Sequence, residues 1–196
     1  PVLPVMERDV AQVRAKFDLP ESQPYVLHVG TLQPRKNIVG LADAFAQYLN
    51  NGGDPTLHLV LAGKRGWLVD DVLAQLPEAA RPRIHFTGYV DDDDVEGLYT
   101  GALGFTFPSL YEGFGFPVLE AMRCGTPVLC SNSSSLPELA GDAAILVDPT
   151  NVEAIADGIS KLVSDPKLRD TLVQRGNEQV HGRADLGIAQ GAQAEF

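Results

Sequence analysis

Glu112 and Glu120 stand with seven residues between them in the run Pro108-Ser109-Leu110-Tyr111-Glu112-Gly113-Phe114-Gly115-Phe116-Pro117-Val118-Leu119-Glu120-Ala121-Met122. Gly113 and Gly115 let backbone N–H groups come close to a ligand. Pro117 suits the first turn of a helix, where unpaired N–H donors and the positive end of the dipole favour an anion such as a pyrophosphate. A carboxylate beside a phosphate is repelled unless it is aimed elsewhere. Sugar hydroxyls are its natural target, since a carboxylate only accepts hydrogen bonds. A plainer reading makes Glu120 a first-turn acid complementing the dipole and Glu112 a solvated loop residue.

A second stretch, Gly30-Thr31-Leu32-Gln33-Pro34-Arg35-Lys36-Asn37, puts two cations at another helix start. Arg35 and Lys36 would neutralise a diphosphate where charge develops on a leaving group. The alternative is a solvated basic pair, although that end of a dipole disfavours cations. Lys64 and Arg65, after a later strand ended by Gly63, are further candidates of the same kind.

These residues need a scaffold, and the chain supplies a strand–helix alternation. Tyr25–Val29, Leu57–Ala62, Ile84–Thr87, Gly104–Phe107 and Pro127–Ser131 read as short buried strands. Helices are expected from Ile38 to Leu49, Leu68 to Leu76, Asp91 to Tyr99, Pro117 to Cys124, Val152 to Leu162 and Pro166 to Gln179. The fold class is therefore α/β, a doubly wound parallel sheet covered on both faces. Ligands in such sheets sit beyond the carboxyl ends of the strands where strand order reverses, so the loops after Val29, Ala62, Thr87, Phe107 and Ser131 are the ones to inspect. Residues 1–22 read as an interdomain connector with a helix over Glu7–Phe17, 23–180 as the domain, and 181–196 as a loosely held tail.

A length of 196 residues suits one well-buried domain, and no apolar run approaches a membrane span. The net charge of −11 argues against a nucleic-acid partner while leaving room for one small anion in a local patch. Cys124 and Cys130 read as reduced core thiols of a cytoplasmic protein. Asp91–Asp94 contains Asp-x-Asp, which can hold a metal, but it precedes Val95, Leu98 and Tyr99 at helical spacing and reads better as a helix cap. His28, His58, His85 and His181 show no metal-ligand spacing, so no metal is expected. Trp67 reads as packing, and Glu138 as a helix-end acid with a ligand role left open.

As a set, Glu112 and Glu120 with Gly88-Tyr89-Val90, Pro108-Ser109, Ala121-Met122, Cys124-Gly125-Thr126-Pro127-Val128 and Leu136-Pro137-Glu138 resemble the signature of the retaining, GT-B-fold glycosyltransferases called family 4, across about residues 25–170. The resemblance implies one Rossmann-like half of a GT-B fold that binds a nucleotide-sugar donor. By position, Glu112 would meet the donor sugar's hydroxyls and Glu120 the ribose hydroxyls. Gly113, Phe114, Gly115, Phe116, Pro117 and Val118 would line the sugar and diphosphate, and Gly88, Tyr89 and Val90 the base. Lys36, Arg35 and Glu112 form the implied catalytic set, with Gly30, Thr31, Gly63 and Lys64 completing the donor site. Thr31 stands where many relatives carry Arg.

The activity implied is metal-independent transfer of a hexose with retained configuration, in polysaccharide or glycoconjugate synthesis. No cofactor is implied beyond the substrate. The Gly-Thr-Leu-x-Pro-Arg-Lys-Asn form resembles mannosyltransferases of bacterial polysaccharide assembly, which points to GDP-mannose. The acceptor site would lie on an N-terminal domain, together with any peripheral membrane contact, so this chain alone is expected to bind donor without appreciable transfer. Two other readings stay open: a non-catalytic nucleotide-binding module, and another GT-B enzyme such as a nucleotide-sugar epimerase or phosphorylase.

Overall fold

The computed structural model describes residues 7–64, 74–78 and 80–184. Six strands form one sheet: β1 (Tyr25–Val29), β2 (His58–Ala62), β3 (Ile84–Gly88), β4 (Gly104–Phe107), β5 (Val128–Ser131) and β6 (Ala144–Val147). Every pairing is parallel, in the order β3-β2-β1-β4-β5-β6. The order reverses between β1 and β4, and this opens the crevice beyond their carboxyl ends. Gly30 and Pro108, which start the two stretches singled out in the sequence, are the residues that follow these strands.

The helices are α1 (Glu7–Lys16), α2 (Ile38–Asn50), α3 (Asp92–Gly101), α4 (Phe116–Arg123), α5 (Leu136–Ala140), α6 (Val152–Ser164) and α7 (Pro166–Ala184). Each face of the sheet carries its own apolar layer. Ile38, Leu41 and Phe45 of α2 join Ile155, Ile159 and Leu162 of α6 over Val26, Leu59 and Leu129. On the other face Leu98 and Tyr99 of α3, Val118 and Met122 of α4, and Leu136 of α5 cover Leu27, Phe105 and Val128. Burial of a side chain the size of Leu or Phe contributes about 1.5–3 kcal/mol. The two layers explain why β1, β2, β4 and β5 are buried along their whole length.

Two elements escape the reading of the sequence, β6 and α5. β6 is a four-residue edge strand of which only Val147 is buried, and α5 is barely more than one turn. Neither is long enough to display a period. The segment before β1 is docked: Val13 and Leu19 join the α3–α4 layer, and Lys16 pairs with Asp94 and lies 3.6 Å from Asp91. Arg14 sits 4.7 Å above the Tyr25 ring and donates to Gln23 O at 2.9 Å. The last helix continues to Ala184. The expected Leu68–Leu76 helix lies largely outside the described residues, as do Trp67, Arg65 and 185–196. Among the described residues no helix is long and apolar enough to cross a membrane.

Candidate functional site

The crevice is laced together by backbone. Gly30 N donates to Ala62 O at 2.9 Å, Gly63 N to Gly88 O at 2.9 Å, and Leu32 N to Lys64 O at 3.1 Å, which carries the sheet ladder into the loops. Gly63 is in the left-handed region (φ +145°), and a Cβ there would meet Gly30 O at 2.1 Å, so only glycine allows this approach. Across the switch point, Leu110 N donates to Arg35 O at 2.8 Å. Asn37, with φ 58°, donates from Nδ2 to Pro108 O at 3.2 Å and Pro149 O at 2.6 Å. The loops after β1 and β4 are thus held as one unit.

That unit brings three of the expected residues into contact. Lys36 closes a 3₁₀ turn over Pro34–Lys36 and is 5% exposed, with its Nζ 2.8 Å from Glu112 Oε1 and 4.5 Å above the Phe107 ring. Arg35 Nη1 lies 2.8 Å from Glu112 Oε2, and its side chain is exposed. The Lys36 contact is a close ion pair on the buried Oε1 atom of Glu112. Burial pushes the Glu112 carboxyl up, but Lys36, Ser109 and Arg35 outweigh burial and hold it below the usual carboxylate value. Glu112 is only 6% exposed and Lys36 5%, so the readings of them as a solvated loop acid and a solvated cation are corrected, whereas Arg35 is exposed as the solvated reading has it and differs only in its ion pair with Glu112.

The loop after β5 supports this acid from below. Glu112 N donates to Ser134 Oγ at 3.0 Å, and the Ser135 hydroxyl lies within hydrogen-bond reach of Glu112 O and Phe114 O. Gly115 precedes α4 with φ 95°, and no side chain caps that helix start. In its first turn Pro117 carries no N–H and Val118 N donates to Gly115 O at 3.0 Å, while the end of the dipole still favours an anion.

Glu120 lies one turn further into α4, past the first turn, so it is not the dipole-complementing acid of the plainer reading. Its Oε2 accepts a 3.2 Å hydrogen bond from the hydroxyl of Tyr99, which is fully buried. Burial is the largest influence on Glu120 and raises its pKa, aided by Asp92 and Glu96 and opposed by Tyr99 and Arg123. Asp92 also lines a pocket with Gly30, Thr31, Gly63, Lys64, Tyr89 and Val90, which are among the residues expected at the donor site; Glu120 and the Gly113–Val118 stretch do not line it. Lys64 Nζ stands 4.8 Å over the exposed Tyr89 ring. Glu112 precedes α4 and pairs with the loop after β1, while Glu120 lies within α4 and is bonded to Tyr99 of α3.

Residues that the sequence left outside the site are also placed by the structure. His28 is fully buried, and its Nδ1 donates to Thr106 O at 3.0 Å, so the lone pair sits on Nε2. Burial and then Lys36 lower its pKa to about 4, which keeps it neutral beside the cation. His58 and His85, though far apart in sequence, meet at 2.8 Å on β2 and β3, at the sheet end opposite the crevice. Asp92, Asp93 and Asp94 fill the first turn of α3, in keeping with a helix-start role. Cys124 and Cys130 are free, and burial raises the Cys130 thiol to about 12.

Residues 9–179 match the profile of the family described as Glycosyl transferases group 1. The chain is 47% identical over 159 residues to the O-antigen chain mannosyltransferase B of Escherichia coli, covering 80% of this chain and 41% of that protein. It is 36% identical to the Escherichia coli serotype-specific mannosyltransferase WbdA, covering 80% of this chain and 19% of that protein. Among solved structures, sucrose-phosphate synthase from Thermosynechococcus elongatus superposes with a TM-score of 0.74 at 31% identity, over 88% of this chain and 44% of that one. Anabaena HepE in complex with UDP-glucose superposes with a TM-score of 0.79 at 22% identity, over 91% and 49% of the two chains, a likeness of fold. The chain thus spans less than half the length of these relatives. With the profile matched across most of its length, this chain belongs to the group 1 glycosyltransferases.

Proposed function

We propose that the chain is the donor-binding half of a retaining, metal-independent mannosyltransferase that takes GDP-mannose. The carrying observation is the pair of ion contacts, Lys36 and Arg35 on Glu112, at the sheet's switch point. Two cations and an uncapped helix start suit a diphosphate, and Glu112 then turns to the sugar hydroxyls. In transfer, Lys36 and Arg35 offset the charge that develops on the departing diphosphate, while Glu112 holds the hexose. Glu120 reads the ribose, and Gly30, Thr31, Gly63, Lys64, Tyr89 and Val90 receive the base and phosphates. The mannosyltransferase relatives support the sugar, and GDP follows from mannose as its usual carrier. Their greater length supports an acceptor-binding half that this chain needs for turnover.

The test is a melting-temperature panel of GDP, UDP, ADP and their sugar conjugates, since only ligands bound by the folded state raise it. The reading expects GDP-mannose to give the largest rise and Lys36→Met to reduce it. A rise with none of these ligands, or one that ignores Lys36, overturns it.

A further inference from the structure

Resting on the ribose role given to Glu120 above, we infer that Tyr99 is a positioning residue for the nucleotide ribose: its buried hydroxyl holds Glu120 Oε2 and leaves Oε1 to accept from the ribose. Tyr99 is fully buried at the end of α3. Its ring packs edge-on against Phe105 with centroids 5.3 Å apart, and its carbonyl accepts the Thr126 hydroxyl at 2.8 Å. Core packing alone would be served by phenylalanine. The hydroxyl instead donates to Glu120 at 3.2 Å.

A free glutamate at this place has several rotamers, and a hydroxyl reader must hold one. The charged and titratable groups around the carboxylate are Asp92 and Glu96 of α3, Arg123 of its own helix, Tyr99, and the neighbouring Cys124. The two acids and burial favour a protonated Glu120; Tyr99 and Arg123 favour the carboxylate. Tyr99 therefore does two things at once: it fixes the geometry and keeps the acid charged, the state that accepts both ribose hydroxyls.

The test measures, from pH 4.5 to 8, the affinity of the 196-residue chain for GDP and UDP and for their 2′,3′-dideoxy forms. For whichever nucleotide binds tighter, the ratio of ribo to dideoxy affinity should fall as pH drops through the raised Glu120 value. Tyr99→Phe should lower that ratio by about tenfold, the worth of one hydrogen bond to a charged group, and move its midpoint to higher pH. In a Glu120→Gln background the same change should have little further effect. Site-specific 3,5-difluorotyrosine at position 99 retains ring and hydroxyl, and as a stronger donor it should move the midpoint to lower pH. Equal losses for ribo and dideoxy ligands with an unmoved midpoint would make Tyr99 purely structural and overturn the inference. A parent chain that binds without any ribo preference would instead sink the role of Glu120 itself.

Discussion

Glu112 is held at 2.8 Å by each of two cations, and this arrangement sets opposing expectations for the empty and the occupied site. In the empty site the acid competes with phosphate for Lys36 and Arg35. Glu112→Gln should therefore bind free GDP or UDP several-fold more tightly, while the added gain from an attached hexose disappears; calorimetry on nucleotide and nucleotide-sugar pairs reads both. The folded pKa of Glu112 lies below its ordinary 4.5. Its stabilisation is complete above that value and is lost as pH falls through the lower folded one. Glu120 has the reverse sign, because burial raises its pKa above 4.5. A carboxylate held charged at neutral pH then costs stability, and the cost is relieved as pH falls through the raised value. Glu120→Gln should accordingly raise the melting temperature at pH 7 while removing the ribose preference, as expected where a binding site is kept at the expense of stability.

The elements carry these residues by close approach, and the approach is made by glycines with positive φ. Gly63→Ala would drive a methyl into Gly30 O and part the loops after β1 and β2, and Gly115→Ala would meet Leu136 Cδ2 at 2.5 Å. Each should cost about 1–3 kcal/mol of stability by chemical denaturation and weaken nucleotide binding together with it. Much of this framework is legible in the residues alone. β1 to β5 show as apolar runs because parallel strands bury both faces, and the loops after Val29 and Phe107 follow from Gly30 and the Pro108–Met122 run. The edge strand β6 and the five-residue α5 do not show, since neither has a period to detect. The supporting serines 133–135 escape for a related reason: their value lies in reaching Leu110, Glu112 and Phe114, and no spacing within the loop reports that.

Across the molecule, the winding β3-β2-β1-β4-β5-β6 brings the loops of residues 30–37 and 108–115 side by side at the carboxyl end of the sheet. Their contact could not be read directly from the chain: Lys36 and Glu112 are remote in sequence, and His28 looks like any scattered histidine until it is seen buried and neutral next to Lys36. A spatial pairing of this kind follows from topology, which the strand pattern implies only as a class. The central claim is that one crevice grips a diphosphate at Lys36, Arg35 and the start of α4 while Glu112 and Glu120 take hydroxyls on either side. Its most direct measurement is a crystal structure of the chain with the nucleotide-sugar that stabilises it most. A phosphate oxygen should lie within hydrogen-bond reach of Lys36 Nζ, with Glu112 on the hexose and Glu120 on the ribose. A ligand bound elsewhere, or bound with both ion contacts to Glu112 intact and no phosphate at Lys36, would contradict it.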